Sequence, residues 1–464
     1  MSSVTASTSI DAGVPARGAR PKLLRRDLRA SVADGTAFSL TVGLGESYLP
    51  AFVLAVGLGE VTAGLIATVP LFIGSVVQLV SPYAVRRVGS HRRWVLMCAT
   101  LQSLSFLPLV IAAVLGHIST IAVLLIAALY WSAGMATGPA WNTWIGRLVP
   151  RPVRARFFAT RTLITQLAVM TGLLVGGVVL QTTTTRGLPL LGFTLLFAAA
   201  GAFRFISTGF LAAQREADLT ASDDRVVSPR EFLRRVGNGE ARLLKYMFIV
   251  QLATQIAGPY FTPYMLREAE FSYAAYVSLL ATAFAAKMLA MPAFGRLAQR
   301  FGPQRLLWIG GVGIVPLAAL WLVSTSLPFL LVVQVVAGIA WGAYELGTFL
   351  LLFDTIRDDE RTSVLTTFNL INAVAIVGGS LAGGLLLKLL AGQQAAYMLI
   401  FALSSLGRAM TIPLLFRITG IGRHPATVGI RTLSVRPSAG SIDAPIVASE
   451  PTQTCESARK EKRG

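Results

Sequence analysis

RARFFATRTLITQLAVMTGLLVGG at residues 154–177 returns, 207 residues later, as RTSVLTTFNLINAVAIVGGSLAGG at residues 361–384. Aligned without a gap, the copies share Arg154/Arg361, Thr160/Thr367, Leu163/Leu370, Ile164/Ile371, Ala168/Ala375, Gly172/Gly379, Leu174/Leu381, Gly176/Gly383 and Gly177/Gly384. A basic residue ahead of an apolar run, closed by three glycines, describes a helix that packs closely against a neighbour through its small residues. Its recurrence means two related halves, and duplicated membrane halves are a common plan for carriers. The repeat reaches further out. VRRVGSHRRW (85–94) and AQRFGPQRLLW (298–308) align Arg87, Gly89 and Arg92 with Arg300, Gly302 and Arg305. Tyr48 in ESYLPAF aligns with Tyr260 in GPYFTPY.

The composition agrees with a membrane chain: 54% of residues are hydrophobic and 14% charged, where a soluble domain carries about 25% charged residues. The net charge of +19 is spread over short segments between apolar runs rather than gathered in one patch, so nucleic acid is not expected as a partner. Cys98 lies in an apolar run and Cys455 in a polar tail, so no disulfide framework is expected. With three histidines and no HExxH, CxxC or GxxxxGK[ST] pattern, neither a metal, a cofactor nor a nucleotide-driven pump is expected.

At about 20 apolar residues per crossing, the chain reads as twelve spans: 34–57, 61–84, 94–115, 119–146, 157–181, 188–212, 243–266, 272–295, 304–325, 328–353, 362–390 and 394–416. The expected fold is an all-α polytopic membrane protein of two six-helix bundles related by a pseudo-two-fold axis. Residues 33–212 form one bundle and 243–417 the other. Tails at 1–32 and 418–464, rich in Ser, Thr, Pro, Gly and charge, are expected to be disordered. The central loop 213–242 is expected to carry a short amphipathic surface helix starting at Ser228. The first apolar run follows Arg17, Arg20, Lys22, Arg25, Arg26 and Arg29, lasts over 20 residues and lacks a small-residue cleavage site, so it reads as span 1. With both termini cytoplasmic, inner segments hold 35 of the 41 Lys and Arg residues, whereas the outer loops hold Arg186 and Arg267. That asymmetry orients the chain in the cytoplasmic (inner) membrane.

Gly295-Arg296-Leu297-Ala298-Gln299-Arg300-Phe301-Gly302, followed by Arg305, resembles the GxLADRxGRR signature of the major facilitator superfamily. The resemblance covers about 34–416 and implies a secondary carrier with rocking halves. It departs from the signature where the family places a latching carboxylate: Arg86 and Gln299 stand there, and Pro82 replaces the first copy's leading glycine. A latch of reversed polarity is therefore expected, with Arg86 or Arg87 meeting Asp358, Asp359 and Glu360 at the start of span 11, where a helix N-terminus also favours acids. Solvated basics obeying the orientation rule are the plainer alternative. The glycine clusters resemble the span-5 motif of the family's antiporters without its proline, and plain close packing is the favoured reading of them.

An ionisable side chain at mid-membrane costs ~2.5–3.5 kcal/mol on insertion scales, so each one needs a partner or a task. Glu46 lies roughly 18 Å into span 1 at ~1.5 Å per residue, among Gly43, Gly45 and Pro50, and is the first choice for proton coupling. Glu345 is the second, with Trp341 and Tyr344 beside it. Lys287 is placed to hold an anion or to neutralise Glu345 or Glu46. Tyr48, Asn142, Gln255, Asn369 and Asn372 are further candidates for lining a solute pathway, and helix pairing is the alternative for each. Arg204, Lys388 and Arg408 also fall inside spans. For Arg204 and Arg408 a structural role or snorkelling is expected.

The leading expectation is a monomeric, proton-coupled secondary transporter of a small solute. A facilitator or exchanger without proton coupling is the nearest alternative. A polytopic lipid-modifying enzyme would need an acidic or histidine cluster at one membrane face, which these short outer loops do not hold. A sensor that keeps the carrier fold without transporting is a third reading.

Overall fold

The computed structural model describes residues 19–149, 151–216, 231, 238–355, 361–390 and 394–418. Every regular element among them is helical. Ten helical stretches are long and apolar enough to cross a bilayer. The other two crossings, spans 7 and 9, are interrupted helices. Span 7 runs as α-helix from Asn238 to Ala257, tightens to 3-10 at Gly258–Tyr260 and ends in a π-turn at Tyr264–Glu268. Span 9 runs from Pro303 to Gly313 and resumes as 3-10 at Ala319–Leu322. Pro316 lies in the gap, and a proline cannot supply the amide that would carry the helix through.

The repeat is obeyed by the packing. In the first half, span 1 (Ala19–Leu44, then Leu49–Ala55) packs on span 5 (Arg151–Thr185) and span 6 (Pro189–Ala213). Span 4 (Thr120–Leu148) packs on span 2 (Glu60–Leu65 and Val69–Gln78) and span 3 (His91–Leu104 and Phe106–Leu115), and span 3 on span 6. In the second half, span 7 packs on span 11 (Arg361–Leu389) and span 12 (Gln394–Ala409). Span 10 (Leu327–Thr355) packs on span 8 (Tyr273–Phe301) and span 9, and span 12 reaches span 9. Adding six to each span number turns one list into the other. Between halves, span 5 meets span 8 and span 2 meets span 11, which is the same pair of contacts under the same operation.

Leu163, Leu167, Leu174 and Val178 form an exposed apolar stripe on span 5, and Met97, Leu101, Leu104 and Leu107 another on span 3. Apolar exposure on this scale marks a lipid-facing surface.

Two expected boundaries move. The helix of span 1 begins at Ala19, so residues 19–32 belong to it and not to a tail. The reason is local: Asp27, 1% exposed, accepts two bonds from the Arg215 guanidinium at 2.7 and 2.9 Å, tying the first turns of span 1 to the end of span 6. Span 7 likewise starts at Asn238. Residues 1–18 and 419–464, and the amphipathic helix expected from Ser228, fall outside the described residues apart from Glu231.

The specific contacts across the halves, among the described residues, lie toward the face of the 1–2 and 7–8 loops, the outer face by the basic-residue bias. Thr68 Oγ1 donates to Ser380 Oγ at 2.8 Å. Arg267 donates to the Leu54 carbonyl at 3.0 Å, and the Ala274 amide to Gln181 Oε1 at 3.2 Å. These contacts close the molecule on that side.

Candidate functional site

The aligned tyrosines do the same job in both halves. Tyr260 Oη donates to the Ser380 carbonyl at 2.6 Å, and Tyr48 Oη donates to the Leu173 carbonyl; Leu173 and Ser380 are themselves repeat partners. Both rings are fully buried. Tyr48 therefore joins span 1 to span 5 rather than lining a pathway. The glycines explain how it fits. A Cβ on Gly176 would enter the Tyr48 ring, and one on Gly383 would stand 2.8 Å from the Tyr260 ring. The first glycines, Gly172 and Gly379, lie against the backbones of spans 1 and 7. The third reach the opposite half: a Cβ on Gly177 would stand 2.7 Å from Val277, and one on Gly384, nearest to Tyr260 Oη of its own half, 3.4 Å from Val61.

Lys287 and Glu345 come together. Lys287 Nζ donates to both Glu345 oxygens, at 3.0 and 3.3 Å, and each side chain is 16% exposed. Trp341, Glu345 and Phe349 are half-buried at i, i+4 and i+8, whereas residues 342–344 and 346–348 are all buried. Glu345 thus occupies the one partly open stripe along this part of span 10. Tyr344 does not share it. It is buried, with its ring 6.3 Å from Tyr246 and 5.5 Å from Trp341, and its backbone lies against Gly310 of span 9.

Glu46 sits in a 3-10 turn, Glu46–Tyr48, that follows Gly45. The α-helix of span 1 is broken here, ending at Leu44 and resuming at Leu49. The carboxylate is 6% exposed and accepts a bond from Tyr130 Oη at 2.8 Å. The Phe106 ring stacks edge-on against Tyr130, so the acid is walled by aromatics inside the first half. It is remote from Lys287 in the topology, and the two do not pair.

Of the neutral candidates, Asn142, Gln255, Asn369 and Asn372 are half-buried. Gln255 turns back along its own helix, its Oε1 3.0 Å from where Gly258 would carry a Cβ. Asn369 and Asn372 lie on span 11 among residues 369–372, all half-buried.

Sequence reasoning missed a buried network. Asp34 Oδ1 accepts from Ser207 Oγ at 2.7 Å, and Arg161 approaches Oδ2 at 3.6 Å. Arg204 donates to Ser207 at 2.6 Å and to Gln102 Oε1 at 2.8 Å. The guanidinium of Arg161 covers Trp141 at 4.5 Å and that of Arg204 covers Phe38 at 4.5 Å. Spans 1, 3, 4, 5 and 6 meet there. In sequence Arg161 reads as one of the inner-face basics, because it stands ten residues from the start of span 5. Arg408 has a different solution: Nη1 donates to the Ile314 carbonyl at 2.7 Å and Nη2 to Ser404 Oγ at 2.8 Å. It places a cation on the carbonyl end of the broken helix of span 9, where the helix dipole favours one. Neither Arg204 nor Arg408 snorkels; both are 3% exposed.

At the inner loops, Gly89 and Gly302 take φ of +72° and +85°, the left-handed backbone that glycine tolerates best. Arg86 and Arg87 are exposed. Arg92 donates its amide to Glu216 Oε1 at 3.2 Å and its guanidinium to the Ala212 carbonyl, and Ser90 donates to Glu216 Oε2 at 2.6 Å. The acid serving this loop thus comes from the end of span 6, within the same half. Arg300 and Arg305 flank the Phe301 ring at 5.1 and 5.0 Å. Asp358, Asp359 and Glu360 lie outside the described residues.

Comparison with known proteins gives one family and one fold. The family model described as Major Facilitator Superfamily matches residues 32–237 and 243–437, one match per half. A point mutant of the nucleoside transporter NupG has a similar structure, with a TM-score of 0.69, 12% identity, and coverage of 85% of this chain and 100% of that one. A bacterial homolog of the human lysosomal transporter Spinster, inward-facing and unoccupied, gives 0.59 at 16% identity, covering 87% and 97%. The xylose transporter XylE from E. coli, partially occluded and inward open, gives 0.59 at 12% identity, covering 84% and 98%. No curated protein sequence matches the chain. With two matching halves, twelve helical crossings and the duplicated tyrosine and glycine contacts, this multi-pass membrane protein belongs to the major facilitator superfamily.

Proposed function

We propose that the chain is a proton-coupled secondary transporter that moves a small solute by alternating access, working as a monomer in the cytoplasmic (inner) membrane with both termini inside. The observation that carries this reading is the Lys287–Glu345 pair, charged, half-open and at mid-span in a chain whose halves are joined on the outer side. A pair kept in the membrane for stability alone would be better replaced by apolar packing, which is often neutral or stabilising. Glu345 replaces Glu46 as the coupling acid, because Glu46 is sealed among aromatics and bonded to Tyr130. The solute enters from the inner side, opposite the joined outer face, and meets Lys287, Glu345, Trp341 and the asparagines of span 11.

The test begins with a thermal-shift screen of the purified protein against a metabolite library at two pH values, because a ligand of the folded state raises apparent stability. The solute found is then loaded into proteoliposomes. Glu345→Gln is expected to keep counterflow and lose accumulation driven by a pH gradient. Accumulation that survives in Glu345→Gln and disappears in Glu46→Gln returns the coupling role to Glu46. Accumulation that survives in both puts the coupling proton on another group, and a parent that shows no accumulation driven by a pH gradient supports a facilitator or exchanger driven by its solute alone.

A further inference from the structure

We infer that the solute is a small organic anion, and that it and Glu345 compete for Lys287, a proton on Glu345 releasing the ammonium to the anion. This rests on reading the Lys287–Glu345 pair as the transport site. The chemistry of the pair is asymmetric. A lysine keeps its charge far above neutral pH, whereas a carboxylate is the group a proton neutralises. Protonation therefore leaves one positive charge, half-open, at mid-span. An unpaired buried ammonium is costly, so the released state is tolerable only when another anion takes the place of Glu345.

Among the described residues Lys287 pairs with no acid other than Glu345, and span 5, which also packs on span 8, carries no acid. Its stem runs against Gly342, whose Cβ position lies 3.1 Å from Lys287 Cγ, so the ammonium stays close to the stripe of span 10. Span 9 carries only Arg305 among charged residues and span 11 only Arg361 and Lys388, all near their ends. Span 7 presents Tyr246 against Tyr344, and phenols remain neutral through the physiological range. A cationic solute would have to take Glu345 and strand Lys287 beside its own positive charge. A neutral solute has no reason to open the pair.

The balance of charge follows. The proton goes to a Glu345 oxygen, the Lys287 ammonium moves from that carboxylate to the solute's, and no covalent bond changes. A monoanion then crosses with one proton, with no net charge moved. Loss of the proton on the other side lets Glu345 retake Lys287 and expel the anion.

The test uses the full-length protein and a fixed panel: benzoate, octanoate, succinate and methanesulfonate, with benzamide, succinamide and benzylamine as neutral and cationic counterparts. Thermal shift is read at pH about 5.5 and about 8. The expected result is stabilisation by at least one anion, tighter at acid pH by up to about tenfold per pH unit, as one linked proton requires. Glu345→Gln is expected to bind that anion equally at both values, and Lys287→Gln to lose it. The double variant Lys287→Gln/Glu345→Gln leaves neither charge unpaired, so its melting transition shows whether the fold survives.

In proteoliposomes, parent transport of a monoanion is expected to ignore membrane potential, and any net anion flux through Glu345→Gln to respond to it, because its empty form carries the Lys287 charge across alone. No stabilisation by any anion of the panel, or anion binding that persists in Lys287→Gln, overturns the inference. Stabilisation by a neutral or cationic member that depends on Glu345 overturns the anion assignment and leaves the transport site standing. If the double variant binds every active compound as the parent does, both readings fail.

Discussion

Gly379→Ala, set against its neighbour Gly378→Ala, tests how the repeat is built. On bare helix propensity each change favours folding by ~0.8–1.0 kcal/mol, because alanine is the better helix former. What differs is what the new methyl meets. At Gly379 it would enter the Leu252 carbonyl and stand 2.9 Å from Gln255 Cβ and 3.1 Å from the Gln255 carbonyl carbon. These are mostly backbone atoms of span 7, which cannot yield without parting spans 7 and 11. Overpacking of this kind costs about 1–3 kcal/mol. At Gly378 the contact is Leu252 Cδ1 at 3.1 Å, the far end of a side chain that can rotate.

The expected net effects are therefore up to about 2 kcal/mol of destabilisation for Gly379→Ala and none for Gly378→Ala. At ~2–4 °C per kcal/mol for units of this size, the apparent melting temperature of the purified protein should fall by several degrees in the first variant only. Gly172→Ala should follow Gly379→Ala, since its methyl would stand 3.1 Å from Gly43 Cα and from the Leu40 carbonyl. Equal melting of Gly378→Ala and Gly379→Ala, or a higher transition for Gly379→Ala, refutes the close-packing role assigned to the glycines.

Asp34→Asn leaves Arg161 and Arg204 buried without their carboxylate, and breaking a buried pair from one side costs about 3–5 kcal/mol; the variant should melt far below the parent, and adding Arg161→Met should recover part of the loss. Arg408→Lys cannot reach both the Ile314 carbonyl and Ser404, so about 1–3 kcal/mol should be lost, with increased hydrogen exchange confined to the break in span 9. In the outer loop, Glu268 is held above the ordinary carboxylate range by partial desolvation and then by the Glu60 carboxylate facing it from the other half. A raised affinity for protons in the outer-closed form means that this form gains as pH falls toward and through that raised value and loses as pH rises. Outer-seam accessibility, read by cysteine labelling, should therefore increase with outside pH in the parent and lose that dependence in Glu268→Gln.

The crossings and the two halves were legible because length, hydropathy and self-similarity are one-dimensional quantities. Spans 7 and 9 were placed correctly even though Gly258-Pro259 and Pro316 interrupt them. Which side of a span faces the pathway was much less legible. In a soluble helix water defines one face; in a membrane helix lipid and bundle interior are both apolar, and polar residues serve as glue and as ligands alike. Tyr344 beside Glu345 is the example: adjacent in sequence, it points into the packing of spans 7 and 9 while Glu345 faces the open stripe. Arg161 was hidden differently, since a basic residue two to three turns from an inner end reads as an orientation signal. The alignment of Arg204 and Arg408, 204 residues apart in spans 6 and 12, was available from the sequence and would have flagged both as built-in cations.

The claim that the two halves rock about a central site is tested most directly by distances on both faces of the same molecule. Spin labels at Thr184 and Ala274 report the outer ends of spans 5 and 8, and labels at Arg87 and Arg300 the inner loops. All four positions are exposed. Rocking halves give two populations in the bilayer, one with a short outer and long inner distance and one with the reverse, exchanging weight as proton and solute are added. A single population on both faces, or outer and inner distances that lengthen together, contradicts rocking about a central site.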